Sequence, residues 1–181
     1  MYRTLLQGCL IKENIFEEFI NKMSITKNSG MVFEQVCKRL LEQKGYSVYP
    51  LKSYPKLYEC GLKKQDLGID LIAVNDKQNI AVQCKFRKNP RRISWKEFST
   101  FDALCARTGP WDKKLIITTA SGVRIEGARL ESDHIWDRST FYKMKRHEWE
   151  QLADMGPGYT CGGSEKDMRE ARLKLFDKVS T

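Results

Sequence analysis

Three polar residues in two short apolar runs could together bind a metal ion and act on a phosphate ester. Asp70 lies in the run 68–74, and Gln83 and Lys85 lie in the run 80–86. A carboxylate and an amide carbonyl are the oxygen ligands that hard divalent cations prefer. An amine beside them can stabilise negative charge that develops during a reaction. This set of side chains therefore favours hydrolysis of a phosphodiester beside a divalent metal.

The two runs predict a β-hairpin, because both are rich in β-forming residues and a polar segment separates them. A turn centred between Asp76 and Lys77 pairs residues whose numbers sum to 153, which places Asp70 opposite Gln83. One face of the hairpin is then apolar, and Asp70, Gln83 and Lys85 share the other face. The alternative interpretation is an exposed ion pair between Asp70 and Lys85.

The order and spacing of these residues resemble the PD-(D/E)xK nuclease superfamily, and within it the Mrr-like restriction endonucleases, whose third element is often QxK. Asp70 matches the motif aspartate, and Gln83-x-Lys85 matches QxK. The resemblance covers roughly residues 29 to 153. It implies an α/β fold with a restriction-endonuclease-like core, in which helices flank a mixed central β-sheet. It also implies a DNA endonuclease that leaves 5′-phosphate and 3′-hydroxyl ends.

Nucleases of this kind usually carry an acidic residue on the first core helix, and Glu34 is the candidate. Apolar residues recur at helical spacing over 29–44, and Gly45 is a candidate C-cap. At about 100° per residue, Glu34 falls at the edge of the apolar stripe, from which it can reach the rim of a sheet beneath the helix. The alternative is a solvated helix-face acid. The stripe consists of Phe33, Val36, Cys37, Leu40 and Leu41.

The resemblance implies Mg²⁺ as cofactor, with Mn²⁺ as a substitute. Asp70 and Glu34 would supply the ligand charge, and the Gln83 carbonyl would be a neutral ligand. Because glutamine replaces the usual acidic residue, we expect one tightly held metal and an optional second. Lys85 would position or help deprotonate a metal-activated water and offset charge in the transition state.

The charge of the chain favours a nucleic-acid partner. Thirty-two basic and 23 acidic residues give a net charge of +9, which indicates a polyanionic ligand. Basic residues crowd directly after Lys85, and Pro90 interrupts regular structure there. We expect this loop to contact DNA phosphates independently of sequence, and a solvated basic loop is the alternative. The predicted DNA contacts are Arg87, Lys88, Arg91 and Arg92.

Length and composition limit the architecture to one domain with small appendages, since the chain has 181 residues. No stretch is apolar enough for a membrane span, and the N-terminus lacks the pattern of a secretory signal. The six cysteines show no metal-ligand spacing and read as reduced thiols. We therefore expect an intracellular protein, cytoplasmic or associated with nucleic acid, that has no membrane partner and is not secreted. His134 and His147 are expected to have structural roles.

Three segments are predicted. Residues 1–27 form a helical extension that precedes the core, 28–154 form the nuclease core, and 155–181 combine a glycine-rich hinge with a charged helix. Within the core the pattern predicts strands over 46–51 and 115–119.

A helix is predicted over 95–106, with Trp95 and Phe98 assigned to the core. The segment 146–153 is expected to close the core through Trp149 and Leu152.

Two other functions remain open at this level. One is a structure-specific nuclease of the Holliday-junction type, which would act as a symmetric dimer. The other is a catalytically silent DNA-binding module of a larger helicase or restriction protein, because Gln83 weakens the metal site. A homodimer, and a further domain following Thr181, are also left open by the sequence.

Overall fold

The computed structural model describes residues 15–124 and 134–154, which form seven strands, five α-helices and a 3₁₀-helix over Leu51–Ser53. The strands are β1 (Ser47–Pro50), β2 (Leu71–Val74), β3 (Asn79–Lys85), β4 (Ile93–Ser94), β5 (Lys113–Thr118), β6 (Val123–Arg124) and β7 (Ile135–Trp136). The helices are α1 (helical over residues 15–24), α2 (Ser29–Gln43), α3 (Trp95–Arg107), α4 (Arg138–Lys143) and α5 (Arg146–Asp154). Each predicted element of the core is present.

The main sheet has five strands in the order β1-β2-β3-β5-β7. Neighbours β1, β2 and β3 pair antiparallel, whereas β3, β5 and β7 run parallel. A second sheet consists of β4 and β6. Helices α2 and α3 pack against the main sheet, so the predicted mixed α/β class is confirmed.

The hairpin of β2 and β3 has the predicted register. Leu71 pairs with Val82 and Ala73 pairs with Ile80, so the residue numbers of each pair sum to 153. The side chain of Asn75 stabilises the turn, because its Oδ1 accepts hydrogen bonds from the backbone N–H groups of Lys77 and Gln78, at 2.9 and 2.8 Å.

Helix α2 covers one face of the hairpin. It begins at Ser29 and ends at Gln43, and Gly45 follows with φ +86, a conformation that glycine adopts without steric cost. All five residues of the predicted apolar stripe are buried. They pack against alternate residues of the hairpin: Leu71, Ala73, Ile80, Val82 and Cys84.

Helix α3 covers the other face, where Ile72 and Ala81 meet the buried Phe98 and Phe101. The predicted burial of Trp95 is wrong, since this side chain is 39% exposed. Trp95 is the first residue of α3 and lies edge-on against the Phe98 ring, with centroids 4.8 Å apart. Its ring therefore lies at the edge of the core and is not buried within it.

The described part of the predicted N-terminal extension is built into the core. Phe16 and Phe19 of α1 contact Trp149 of α5, with ring centroids 6.1 and 5.2 Å apart. Trp149 and Leu152 are buried, so α5 closes the core as predicted. The structure does not separate α1 from the core, because residues of α4 and α5 shield the aromatic side chains of α1 from water.

The domain boundaries at 27/28 and 154/155 stay predictions. The first 14 residues of the predicted N-terminal extension, the glycine-rich hinge and the charged C-terminal helix lie outside the described residues. Within the described ranges, no helix combines the length and the apolar character that a membrane span requires.

Candidate active site

Asp70 is held where β2 and β3 meet at the end of the hairpin. Its backbone N–H donates to the carbonyl of Val82 at 2.9 Å, and its own carbonyl accepts from the N–H of Leu51 at 3.2 Å. Its side-chain Oδ2 accepts a hydrogen bond from the backbone N–H of Cys84 at 2.7 Å. Backbone and side chain are thus both anchored, which fixes the carboxylate next to β3.

Glu34, Asp70 and Lys85 lie within electrostatic reach of one another. Burial raises the pKa of Glu34 to about 7, and the negative charge of Asp70 adds to this rise while Lys85 opposes it. Burial also raises the pKa of Asp70, and the Cys84 N–H and the Lys85 ammonium oppose that rise. The structure therefore brings together a helix carboxylate, a hairpin carboxylate and a strand ammonium.

Gln83 carries an unpaired oxygen in the interior. The side chain is 3% exposed, and among the described residues its Oε1 has no hydrogen-bond partner. Buried polar atoms without a partner are uncommon and cost about 1–3 kcal/mol each. The regular pairing of the hairpin ends at Leu71 with Val82, and the N–H of Asp70 bonds to the carbonyl of Val82, so the predicted pairing of Asp70 with Gln83 lies beyond the ladder. Gln83 follows Val82 directly on β3, one position beyond that last regular pair.

These side chains fit a hard divalent cation. Two carboxylates and one amide oxygen are a suitable partial ligand set for Mg²⁺, which keeps several waters. A bound cation would relieve the repulsion between Glu34 and Asp70 and would give the Gln83 oxygen a partner. In residues 15–124 and 134–154 no three His, Cys, Asp or Glu side chains cluster as metal ligands, so the amide would have to complete the set.

A pair of buried thiols lies within electrostatic reach of the Glu34 and Asp70 carboxylates. Cys37 of α2 and Cys84 of β3 are hydrogen-bonded to each other, and burial raises the pKa of both thiols. They stay protonated and neutral at physiological pH, so they add no charge to the site. The four described cysteines are all free, as expected from the sequence.

The structure divides the four predicted DNA contacts into two groups. Arg87 forms an ion pair with Glu97 of α3 and donates to the carbonyl of Phe86 at 2.9 Å. The other three side chains are exposed and form no ion pair within the described part of the chain. These three are Lys88, Arg91 and Arg92.

Sequence reasoning missed two buried threonines beside Lys85. Thr118 and Thr119 are 0% exposed, and their hydroxyl groups bond to the backbone of Lys85 and Arg87. The signal in the sequence is a pair of hydroxyl residues that directly follows the apolar run 115–117.

It also missed the buried Arg138, which pairs with Glu17 across the core. The two residues are 121 positions apart, so no local pattern could have linked them.

A family model described as a restriction endonuclease, of the Mrr catalytic type, matches residues 40–152. The match spans more than half of the chain and contains Asp70, Gln83 and Lys85, whereas Glu34 precedes it. The chain belongs to this family and is an Mrr-like nuclease of the PD-(D/E)xK superfamily.

A comparison with curated proteins finds no significant match. Among solved structures, the chain is similar to the crystal structure of a protein of unknown function, AF1548, at 15% identity and a TM-score of 0.44. That match covers 82% of this chain and 96% of the other.

Proposed function

We propose that this nuclease is a metal-dependent DNA endonuclease that hydrolyses phosphodiester bonds at the site formed by Glu34, Asp70, Gln83 and Lys85. One observation carries the proposal: two carboxylates and an ammonium lie within electrostatic reach of one another, and the strand that carries the ammonium also carries a buried amide oxygen that has no hydrogen-bond partner among the described residues. Two neighbouring carboxylates and an unpaired buried oxygen are unfavourable, and a bound cation would relieve both.

Asp70, Glu34 and the Gln83 carbonyl would hold Mg²⁺, with Mn²⁺ as a substitute. When bound, the ion supplies Lewis acidity and lowers the pKa of its coordinated water, which provides the nucleophile. Glu34 must be ionised to act as a ligand. Because its pKa is about 7, protons compete with the metal at neutral pH.

Lys85 carries the positive charge of the site. Its ammonium lies close enough to lower the pKa of both Glu34 and Asp70. From that position it would hold the attacking water and offset the negative charge that grows on the phosphate in the transition state. A neutral side chain of similar length could not offset that charge.

Lys88, Arg91 and Arg92 would bind the DNA backbone. They follow Lys85 within seven residues and point to solvent without carboxylate partners in the described chain, so their charge is available for phosphates. Contacts of this type position DNA without reading its sequence. Specificity for a sequence, a modification or a junction would then come from other groups.

The test is cleavage of supercoiled plasmid, linear duplex and four-way junction DNA in Mg²⁺, Mn²⁺ or EDTA. We expect cutting that requires metal, persists in Asp76→Ala in the exposed hairpin loop and is lost in Asp70→Ala. Binding of DNA without cleavage of any substrate would instead indicate a silent binding module.

A further inference from the structure

Two buried threonines hold the end of the strand that carries Lys85. Thr118 pairs with Lys85 at the last position of the parallel ladder between β3 and β5. Beyond that position the regular ladder ends. The hydroxyl groups of Thr118 and Thr119 instead form hydrogen bonds with the backbone of Lys85 and Arg87. We propose that Thr119, assisted by Thr118, is a positioning residue that sets the placement of Lys85 for the reaction proposed above, on which this inference rests.

The carbonyl of Lys85 receives two hydrogen bonds from this pair. The hydroxyl of Thr118 donates to it at 2.8 Å, and the backbone N–H of Thr119 donates at 3.3 Å. The Thr118 oxygen also accepts from the N–H of Ala120 at 3.1 Å, so the hydroxyl is fixed in orientation. The backbone of Lys85 is therefore anchored on its C-terminal side by two hydrogen bonds.

The hydroxyl of Thr119 acts two residues further along. Its Oγ1 accepts a hydrogen bond from the N–H of Arg87 at 2.6 Å and donates to the carbonyl of the same residue at 2.8 Å. One side chain thus satisfies both backbone groups of Arg87. Together the two threonines clamp the segment from Lys85 to Arg87, which controls the direction in which the Lys85 side chain leaves β3.

The threonines are themselves anchored to the rest of the core. The guanidinium of Arg138 donates from Nη1 to the carbonyl of Thr119 at 3.2 Å, and its Nη2 pairs with Glu17 of α1. The backbone N–H of Arg138 donates to the carbonyl of Ala120 at 2.9 Å. The two threonines are therefore linked to α4 and α1. Because these contacts fix the loop that contains Thr119, we expect that the loop does not shift to compensate for a substitution of Thr119.

A small displacement of Lys85 is sufficient to lower the rate of the proposed reaction. A misplacement of about 1 Å can lower a rate by about 10²-fold. Neither threonine reaches the reacting atoms in this arrangement, since both hydroxyl groups are engaged with the backbone of β3 and its extension. Their contribution would act on kcat through Lys85 and would leave metal and DNA affinity nearly unchanged.

Thr119→Val tests the inference, because valine keeps the branched shape and removes the hydroxyl. Thr119→Ser is the conservative variant that retains it. Thr108→Val is the matched control: Thr108 also donates from its hydroxyl to a backbone carbonyl, that of Leu104 at 2.7 Å, but it caps the end of α3. Each variant would be compared with the wild type by single-turnover cleavage, DNA affinity and amide hydrogen exchange.

We expect kcat to fall about 10- to 100-fold in Thr119→Val with KM nearly unchanged, and to recover in Thr119→Ser. Exchange of the Arg87 amide should accelerate in Thr119→Val alone. Equal kcat in Thr119→Val and Thr108→Val at matched thermal stability would overturn the positioning role, as would a loss confined to KM.

A wild type that cuts no DNA would refute the proposed function, but it would not decide this inference. The positioning role would then be judged by labelling Lys85 with an amine-reactive reagent and quantifying the labelled peptide by mass spectrometry. A changed labelling rate in Thr119→Val, restored in Thr119→Ser, would support it. An unchanged rate would overturn it.

Discussion

The carboxylate of Asp70 accepts a hydrogen bond from the backbone N–H of Cys84, with 2.7 Å between Oδ2 and N. This bond joins the two strands one position beyond the last regular pair of the hairpin, Leu71 with Val82. It directs the carboxylate toward the strand that carries Gln83 and Lys85. Oδ1 makes no hydrogen bond within the described residues, so one carboxylate oxygen is left for a cation.

Replacing Glu34 should stabilise the metal-free protein above neutral pH. The folded state holds the Glu34 proton up to a pKa of about 7, whereas the ordinary value is 4.5. Between these values the folded state binds more protons than the unfolded state, so stability falls as pH rises from 4.5 to about 7. We expect Glu34→Gln in EDTA to gain about 1–2 kcal/mol at pH 8, with allowance for the partial exposure of the group, and nothing at pH 4.

Urea unfolding at pH 4, 6 and 8 measures this effect. Glu18→Gln, at an exposed position of α1, is the control and should show no such gain. A gain for Glu34→Gln that does not depend on pH would contradict the assigned cause, because the titration of Glu34 is what this substitution removes.

Lys85→Ala should separate cleavage from binding. Loss of one preorganised positive group at the reacting phosphate lowers the rate by about 10²–10³-fold. DNA affinity should change little, because in the proposed binding mode Lys88, Arg91 and Arg92 would supply the main phosphate contacts. Single-turnover cleavage and equilibrium binding are compared with Lys77→Ala in the exposed hairpin loop. Equal losses of binding and cleavage would count against a catalytic role.

Gln83→Met should stabilise the metal-free protein and abolish its response to Mg²⁺. Methionine has a similar volume and removes the unpaired Oε1, which we expect to add about 1 kcal/mol to the free energy of unfolding. The same change removes a proposed metal ligand, so Mg²⁺ should no longer raise the melting temperature.

Thermal unfolding with and without Mg²⁺ measures both effects, with Gln65→Met at an exposed position as the control. A Gln83→Met protein that still gains the full Mg²⁺ shift would remove Gln83 from the ligand set.

The salt dependence of DNA binding should distinguish Arg91 and Arg92 from Arg87. Each phosphate contact contributes about 0.9 to the slope of log K against log salt concentration. Arg91→Ala and Arg92→Ala should each lower the slope by about this amount. Arg87→Ala should leave it nearly unchanged, because Glu97 already neutralises Arg87. A lower slope in Arg87→Ala would show that DNA displaces Glu97.

The hairpin was predictable because a period-two pattern, a polar turn and a fixed register act over a few residues. The same holds for α2, where the apolar stripe and Gly45 define the face and the end of the helix. The register was confirmed for residues 71–74 and 79–82, whereas the pairing of Asp70 with Gln83 stays a prediction, because the regular ladder ends at Leu71.

Interactions between distant segments were not predictable in this way. Arg138 and Glu17 meet only because α1 and α4 pack together, and Trp95 is exposed because α3 starts at the margin of its core. The role of Thr119 depends on the parallel pairing of β3 with β5, which local patterns do not specify. The proximity of Glu34 to Asp70 likewise required the packing of α2 on the sheet.

The most direct test of the account is an Mg²⁺ titration of supercoiled plasmid cleavage by the wild type and by Asp70→Asn, which keeps the shape of the side chain and removes its charge. We expect saturable, Mg²⁺-dependent cutting by the wild type. Asp70→Asn should be folded, bind DNA and cut at least about 10²-fold more slowly at every Mg²⁺ concentration. Equal cleavage by the two proteins would contradict the assignment of this site.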